Sequence, residues 1–278
     1  KALGGRFDAY NGRERATWYA HPGDDISEEA TLTFRREGPW QHRVREECHA
    51  VRDAAGILDL PGFSRFNLEG PGAADWLSLQ VTGLVPKPGR IGLVYFADDK
   101  GRIVTEMSVV RHDENVMTLI TAAVAQWHDF EWLQSRMPKD APFKLIDRTE
   151  EFSTQILAGP NSRKILAGAC DADLTLPWLT HQETKIAGRW AKLVRVSFAG
   201  ELGWEIHTRV DDTAAIFDAV CAAGQHHGLK PFGMYALDSL RLEKGYRTWK
   251  GDLSTDYSIL QGGLERFVKW EKPDFRGK

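Results

Sequence analysis

The sequence predicts an α+β fold built on antiparallel sheets, and two patterns in its 278 residues carry that prediction. Many short segments alternate apolar and polar side chains with a period of two, which is typical of strands. Some of these segments follow one another through turn residues, as at 98–101 (D-D-K-G), so neighbouring strands form hairpins. Helical segments occur irregularly between them, which argues against a doubly wound parallel sheet.

The first 42 residues are rich in glycine, arginine and aromatic side chains and lack a sustained period. We expect an extended entry segment with short turns there, including a short strand at 31–36. A helix is predicted over 44–55, because its apolar residues share one helical face and Gly56 suits the position after a helix end.

Strands and further helices are predicted along the rest of the chain. Pro71 suits the first turn of a helix, Asn161 the position before one, and Gly228 and Gly245 the positions after helix ends. The order strand–helix–hairpin–helix–strand occurs twice and predicts ferredoxin-like units. The predicted strands are 57–59, 64–69, 91–97, 103–111, 115–120, 143–147, 153–158, 184–186, 190–198 and 204–210, and the predicted helices are 72–80, 124–135, 162–167, 213–227 and 235–243.

The composition excludes several classes of function. A net charge of −3 provides no basic field for nucleic acid, and no apolar run reaches the roughly 20 residues of a membrane span. The three cysteines are far apart and form no C-x-x-C pair, so we predict neither a metal site nor a disulfide framework. The glycine-rich patterns that bind dinucleotides or nucleotides are absent, so we expect no flavin or nicotinamide bound by that route.

A candidate binding carboxylate lies in the segment 195–207 (R-V-S-F-A-G-E-L-G-W-E-I-H), which predicts a hairpin with Glu205 between Trp204 and Ile206. A carboxylate among apolar side chains is costly unless it is paired. A flat ligand with adjacent N–H donors, such as a pterin, is one partner that fits. An edge glutamate that faces water is the alternative, and spacing alone favours it.

A second candidate carboxylate lies on the predicted strand 103–111, where Val104, Glu106, Ser108 and Val110 share one face. A carboxylate and a hydroxyl on this apolar face could balance a cationic intermediate or relay a proton. The alternative is a strand whose second face is in water.

Five segments, taken together and in order, resemble the folate-binding family typified by the glycine-cleavage T-protein (aminomethyltransferase). They cover roughly residues 44–278. The branch that they resemble most is the tetrahydrofolate domain of dimethylglycine and sarcosine dehydrogenases and oxidases. The segments are G-I-L-D-L-P-G-F-S-R-F-N-L-E-G-P-G-A from 56, D-D-K-G-R-I-V-T-E from 98, L-A-G-P-N-S-R-K-I-L from 157, V-S-F-A-G-E-L-G-W-E-I from 196 and Y-A-L-D-S-L-R-L-E-K-G-Y-R-T-W from 235.

The resemblance implies roles for particular residues. Glu106 occupies the position of the family's catalytic carboxylate, and Ser108 that of the family hydroxyl two residues on. Glu205 occupies the position of the carboxylate that binds the amidine edge of the pterin. Phe198 stands where the family commonly has a tyrosine that lines the pterin slot, and Trp204 is assigned to the cofactor site with it.

The sequence also departs from the family pattern. Leu237 replaces an arginine that can hold the glutamate tail of folate, so binding of the tail is unassigned. Gln261 replaces an acidic residue. The family's C-terminal barrel is missing from the predicted fold. We therefore expect two parts, an entry segment at 1–43 that leads from an upstream domain and a folate-binding domain at 44–278.

The reaction that the resemblance implies is transfer of one carbon. A flavin in a missing upstream domain, expected to be FAD, would oxidise an N-methyl group of an amine such as dimethylglycine or sarcosine. Tetrahydrofolate would capture the carbon as methylene-tetrahydrofolate. The expected partners are the folate, the amine-derived carbon unit and a flavoprotein domain or subunit, with no nucleic acid and no membrane. The expected compartment is the cytoplasm, or the mitochondrial matrix if the protein is eukaryotic.

Two alternatives remain open at this point. A flavin-free, folate-dependent demethylase would pass an intact methyl group to tetrahydrofolate and yield methyl-tetrahydrofolate. A non-catalytic scaffold domain would bind folate without turning it over, which the replacements at Phe198, Leu237 and Gln261 would permit.

Overall fold

The computed structural model describes residues 2–27 and 37–278, so the strand predicted at 31–36 lies outside the described residues. Its strands are β1 (Gly5–Tyr10), β2 (Arg13–Tyr19), β3 (Ala55–Asp59), β4 (Phe63–Glu69), β5 (Ile91–Ala97), β6 (Ile103–Arg111), β7 (Val116–Ala122), β8 (Lys144–Asp147), β9 (Phe152–Ala158), β10 (His181–Ile186), β11 (Arg189–Val194), β12 (Gly203–Arg209) and β13 (Leu229–Pro231). Its α-helices are α1 (Gln41–Asp53), α2 (Ala73–Gln80), α3 (Gln126–Gln134), α4 (Ser162–Ala169), α5 (Thr213–Gly224) and α6 (Met234–Glu243).

The predicted mixture of helices and antiparallel strands is confirmed, and most element bounds agree within two residues. The strand predicted at 190–198 is too long, because β11 ends at Val194. The amide of Val196 donates to the carbonyl of Val194 at 3.0 Å, and this tight turn takes the chain out of the ladder although apolar alternation continues. The helix predicted at 213–227 ends its α-helical part at Gly224 and closes with a 3₁₀ turn, Gln225–His227.

The entry segment contains a regular hairpin, which corrects the expectation of an extended chain. Strands β1 and β2 pair in antiparallel fashion around Asn11 and Gly12, whose φ angles are 50° and 78°. Positive φ at both central residues defines a type I′ turn, for which Asn-Gly is the preferred pair. The sequence therefore contains a hairpin turn signal, Asn11-Gly12, although the residues around it do not alternate regularly as strands usually do.

The chain forms two compact units, of which the first comprises the described residues of 1–62, 152–178 and 182–246. It holds the β1–β2 hairpin and a six-stranded sheet in the order β10-β11-β12-β9-β3-β13. Without β3 and the edge strand β10, the order and the two connecting helices, α4 and α5, are those of a ferredoxin-like unit. One face of the sheet packs against α4 and α5 around Trp204, Ile206 and Leu193.

The second unit comprises 63–151, 179–181 and 247–278. Its five strands pair in antiparallel fashion in the order β5-β6-β7-β4-β8, which is a ferredoxin-like order extended by the edge strand β5. Helices α2 and α3 cover one face, where Phe66, Met107 and Leu133 are fully buried. The other face of the β5–β6 hairpin packs against the segment 249–275. No sheet of the described residues closes into a barrel.

A buried carboxylate joins three elements of the first unit. Glu47 on α1 accepts hydrogen bonds from the amide of Tyr19 at 2.7 Å and from the amide of Gly233 at 2.9 Å. Burial raises the pKa of Glu47 to about 7, although these two hydrogen bonds oppose the shift. Gly233 approaches β2 so closely that a Cβ atom there would lie 2.1 Å from the carbonyl oxygen of Thr17. Glu47 therefore links the β1–β2 hairpin to α1 and to the residue before α6 through hydrogen bonds.

We expect Glu47→Ala to lower the free energy of unfolding by about 2–4 kcal/mol, because it leaves two buried N–H groups without an acceptor. Urea unfolding followed by circular dichroism would measure the change. Glu46→Ala is the matched control, since the neighbouring carboxylate is exposed and pairs with Arg43 on the surface. Equal stability of the two variants would contradict a stabilising role for the hydrogen bonds of Glu47.

Candidate functional site

Glu106 lies on β6 directly opposite Tyr95 of β5. A bulge shifts the register here, because Ala97 pairs with Ile103 while Phe96 pairs with Thr105, and Val104 has no partner in between. The bulge places Val104 in the core under α2 and α3 with Met107 and Val109. The prediction that Val104 shares the face of Glu106 is therefore wrong.

The face of Glu106 is apolar and largely closed. Tyr95 and Ile103 are buried on this side of the hairpin, where they pack with Trp249 and Leu264. Glu106 keeps some exposed surface. The alternative of a face in water is thereby excluded for this part of the strand.

The carboxyl group of Glu106 has an unusually high pKa for a glutamate. Burial raises its pKa to about 7, and a hydrogen bond from the hydroxyl of Tyr95 opposes the shift only in part. Among the residues that the structure describes, no lysine, arginine or histidine forms an ion pair with it. A carboxyl group with a pKa near neutrality can both release and accept a proton at physiological pH.

Aromatic and basic side chains lie close to Tyr95. The rings of Tyr95 and Phe267 lie 5.0 Å apart between centroids, and the guanidinium of Arg266 lies 4.7 Å above the Phe267 ring. Burial raises the pKa of the Tyr95 hydroxyl above its usual range, and the positive charges of Arg266 and Arg247 oppose this shift. The hydroxyl therefore remains protonated and available as a donor to Glu106.

Ser108 lies two residues further along the same face of β6, half-buried and opposite Leu93 of β5. Leu93 is 39% exposed, which is high for a leucine in a strand. Because cross-strand partners share a face, Leu93 presents apolar surface beside the hydroxyl of Ser108. Sequence reasoning missed Leu93 and Tyr95, since neither can be placed beside β6 until the hairpin register is known.

Glu205 lies in the first unit, on β12, on the face of the sheet opposite Trp204. Its side chain is 18% exposed, and its Oε2 atom lies 2.9 Å from Nε2 of His207. Its Oε1 atom makes no hydrogen bond within the described part of the chain. The alternative of an edge glutamate facing water does not describe this position, because β12 lies inside the sheet between β11 and β9.

The structure places Trp204 in the core rather than at a ligand-accessible surface. The indole has no exposed area and packs among the residues between the six-stranded sheet and helices α4 and α5. The guanidinium of Arg195 lies 5.0 Å from the ring centroid. Strand alternation explains the difference from the prediction, because neighbours of Glu205 in sequence point to the opposite face.

Phe198 follows β11 in the loop and stacks on Tyr246, with ring centroids 6.1 Å apart and ring planes inclined by 17°. Arg241, which is buried, donates hydrogen bonds to the backbone carbonyl oxygen of Tyr246 at 2.9 Å and to Asp238 at 2.7 Å. The half-buried ring of Phe198 thus lies on a tyrosine whose backbone is bonded to a buried arginine. Tyr246 was missed because the stack joins residues that are 48 positions apart.

The two departures from the family pattern have structural roles. Leu237 is buried in α6, so its side chain is part of the core. The side-chain oxygen of Gln261 accepts a hydrogen bond from the backbone N–H of Ser258 at 2.9 Å. The backbone N–H of Gln261 donates to the Ser258 hydroxyl at 3.1 Å. These reciprocal bonds close a local turn.

The five predicted site residues divide between the two units. Glu106 and Ser108 belong to the second unit, and Phe198, Trp204 and Glu205 belong to the first. Over residues 2–27 and 37–278, no cluster of three or more histidine, cysteine or acidic side chains could hold a metal ion, and no helix is long and apolar enough to cross a membrane.

The fold matches the crystal structure of glycine cleavage system aminomethyltransferase T from Bartonella henselae with a TM-score of 0.79. The match covers 99% of this chain and 70% of that chain at 22% identity. The fold is therefore that of an aminomethyltransferase T domain. The family model of the GCVT N-terminal domain matches residues 1–272, so the chain belongs to the GCVT family.

Two relatives show which longer proteins contain a similar region. Dimethylglycine dehydrogenase, mitochondrial, of Homo sapiens is 34% identical over 274 residues, which covers 96% of this chain and 31% of that protein. Sarcosine dehydrogenase, mitochondrial, of Mus musculus is 34% identical over 262 residues, which covers 86% and 28% respectively. The chain therefore spans about a third of the length of these relatives.

Proposed function

We propose that the chain is the tetrahydrofolate-binding, one-carbon-transfer region of a flavoenzyme that demethylates an N-methyl amine of the dimethylglycine or sarcosine type. The single observation that carries this proposal is Glu106, a mostly buried carboxyl group with a pKa of about 7 that accepts a hydrogen bond from the Tyr95 hydroxyl and forms no ion pair with a described residue. Such a group is costly to maintain in a stable domain and is typical of sites that handle a proton or a positive charge. Membership of the GCVT family and the names of the relatives support the choice of reaction.

The side chains of the first unit fit a reduced pterin. Within the described part of the chain, one oxygen of Glu205 makes no hydrogen bond and the other is bonded to His207, so the carboxylate can accept two parallel N–H donors from an amidine edge. Phe198 offers a ring face for stacking, although it lacks the hydroxyl of the usual tyrosine. Tetrahydrofolate, when bound, supplies the nucleophilic nitrogens that take up the one-carbon unit.

Glu106 then has two tasks in the transfer. Its ionised form stabilises the positive charge of an iminium ion made from the N-methyl amine. The low dielectric constant of the apolar surroundings strengthens this attraction. The same carboxylate accepts the proton that the attacking amine loses. The Ser108 hydroxyl, which lies two residues along the same face, offers a hydrogen bond to the cofactor. We leave Trp204 out of the site, because its ring has no exposed surface.

The proposal implies a flavin, expected to be FAD, in another domain or subunit, because oxidation of an N-methyl group needs an electron acceptor. It also implies a small-molecule amine as carbon donor. The names of the two related dehydrogenases both include the word mitochondrial, so in a eukaryote we place the protein in the mitochondrial matrix.

The product of the reaction tests this function. The intact protein would be supplied with an N-methylated amino acid and tetrahydrofolate, and the folate products and free formaldehyde would be quantified by mass spectrometry. We expect methylene-tetrahydrofolate to form and formaldehyde to fall when folate is present. Methyl-tetrahydrofolate as the product would establish the flavin-free alternative. Binding of folate without any change in the released carbon would establish a scaffold.

We expect Glu205→Gln to weaken tetrahydrofolate binding by about 10- to 100-fold, because a charge-assisted bidentate pair loses its charge and one acceptor. Quenching of tryptophan fluorescence or calorimetry on the full chain would give the Kd. Glu201→Gln is the matched control, because Glu201 is close in sequence, partly exposed and pairs with Lys244 at 3.8 Å. Equal Kd values for the two variants would remove Glu205 from the binding site.

A further inference from the structure

His207 is a buried histidine whose hydrogen bond leads directly to the proposed cofactor-binding carboxylate. Its Nε2 atom lies 2.9 Å from Oε2 of Glu205, and its side chain is 7% exposed. The two residues are two positions apart on β12, so both point to the face opposite the Trp204 core. Neither the motifs of the sequence nor the proposed transfer chemistry uses His207.

The neighbouring strands supply further polar groups around this histidine. Lys192 of β11 pairs across the ladder with His207, and Thr154 of β9 pairs with it on the other side. The ammonium group of Lys192 lies 3.4 Å from a carboxylate oxygen of Glu183 on β10. A row of side chains therefore runs across one sheet face, from Glu183 through Lys192 and His207 to Glu205.

This arrangement restricts the carboxylate of Glu205. A free glutamate side chain populates several rotamers, and ordering them on binding costs free energy. A hydrogen bond from a buried ring, which packing already holds in place, removes part of that freedom before the ligand arrives. A carboxylate has about four lone-pair sites, so one bond from Nε2 leaves both oxygens able to accept from a ligand.

We propose that His207 is a positioning residue that donates its Nε2 hydrogen to Glu205 and so orients that carboxylate toward the paired N–H donors of the pterin. The inference rests on the proposed function and deepens it. His207 does not contact the ligand in this scheme. Its contribution passes through Glu205 alone, which distinguishes it from a histidine that only fills space in the sheet.

A double-mutant cycle tests the proposal in the full chain. We expect His207→Leu to weaken tetrahydrofolate binding by about tenfold, which is the scale of one charge-assisted hydrogen bond. In the Glu205→Gln background the same substitution should change the Kd by less than about twofold, because the coupling would already be lost. His207→Gln should recover most of the affinity, since its side-chain amide provides an N–H donor at a similar reach.

Controls separate this inference from the function on which it rests. His112→Gln changes a histidine of the other unit, whose Nε2 lies 2.8 Å from the hydroxyl of Thr118, and should leave the Kd unchanged. If His207→Leu does not fold, the glutamine variant and His207→Asn, whose shorter amide does not reach Glu205, are compared with each other and should differ by the same factor. Equal Kd values for wild type and the histidine variants, or equal losses with and without Glu205, would overturn the positioning role. Failure of the wild type to bind tetrahydrofolate would instead overturn the proposed function.

Discussion

Replacing Glu106 with glutamine should lower the rate of methylene-tetrahydrofolate formation by about 10²- to 10⁴-fold, the usual effect of removing a group that transfers a proton or stabilises charge. Glutamine has nearly the same shape and can still accept the hydrogen bond from Tyr95, so folate binding should change little. The carbon that is no longer captured should appear as formaldehyde. Rapid-quench measurements on the intact protein would follow both products.

Two controls make this result specific to Glu106. Glu114→Gln alters an exposed carboxylate of the same unit, which pairs with Arg111 at 2.8 Å, and should leave the transfer rate unchanged. The rate at which the amine is oxidised should be the same in wild type and Glu106→Gln. An unaltered yield of methylene-tetrahydrofolate in Glu106→Gln would show that the carboxylate is not catalytic.

The pKa of Glu106 gives this prediction a pH dependence. Because the ionised form is the active one, transfer should accelerate as the pH rises through about 7. Stability should change in the opposite direction. The folded state binds a proton more tightly than the unfolded state, whose pKa is about 4.5, so this group's favourable contribution is lost as the pH rises from that value through about 7.

Glu106→Gln should therefore be more stable than wild type at pH 8, by up to about 3 kcal/mol, and the two should converge near pH 4. Glu47, whose pKa is also about 7, would keep part of the pH dependence in both proteins. Guanidinium unfolding curves at several pH values would measure the difference. A wild type that is as stable as the variant at pH 8 would argue against a desolvated carboxylate.

Trp204→Ala should lower the free energy of unfolding by about 3–5 kcal/mol, because it removes a fully buried indole from the core of the first unit. Denaturant unfolding of the full chain would measure the loss. Trp178→Ala is the matched control in the same unit, since that side chain is 63% exposed and its removal should cost less than about 1 kcal/mol.

The same position also distinguishes a core residue from a cofactor ligand. Trp204→Phe keeps an aromatic core side chain and should hold the Kd for tetrahydrofolate within about twofold of wild type. A large loss of tetrahydrofolate binding in a well-folded Trp204→Phe protein would show that Trp204 belongs to the cofactor site.

Local patterns in the sequence were sufficient for much of the fold. Alternation over 91–111, interrupted by D-D-K-G, gave β5 and β6 with the bounds that the structure has. The helix ends at Gly228 and Gly245 were predictable because both glycines adopt positive φ, which few other residues tolerate. The positions of Glu106 and Glu205 came from motifs, and the structure supplied their surroundings.

What could not be predicted depends on register and on distant contacts. The bulge at Val104 reverses the direction of that side chain, and no propensity signals it. Tyr95 and His207 contribute to the candidate site through their hydrogen bonds to Glu106 and Glu205. Tyr246 contributes through its stack on Phe198, which is 48 residues away in sequence. Such contacts are fixed by tertiary packing, which single-sequence patterns do not encode.

The contact between Gly233 and Thr17 has a consequence for synthesis of the protein on the ribosome. It joins residues that are 216 positions apart, so the first unit cannot be completed until residue 233 has emerged. The stretch 63–151, which supplies every strand of the five-stranded sheet, is continuous and can begin to pair much earlier. During translation, the β1–β2 hairpin therefore completes its packing in the first unit only after residue 233 has been synthesised, when the strands of the five-stranded sheet have already emerged.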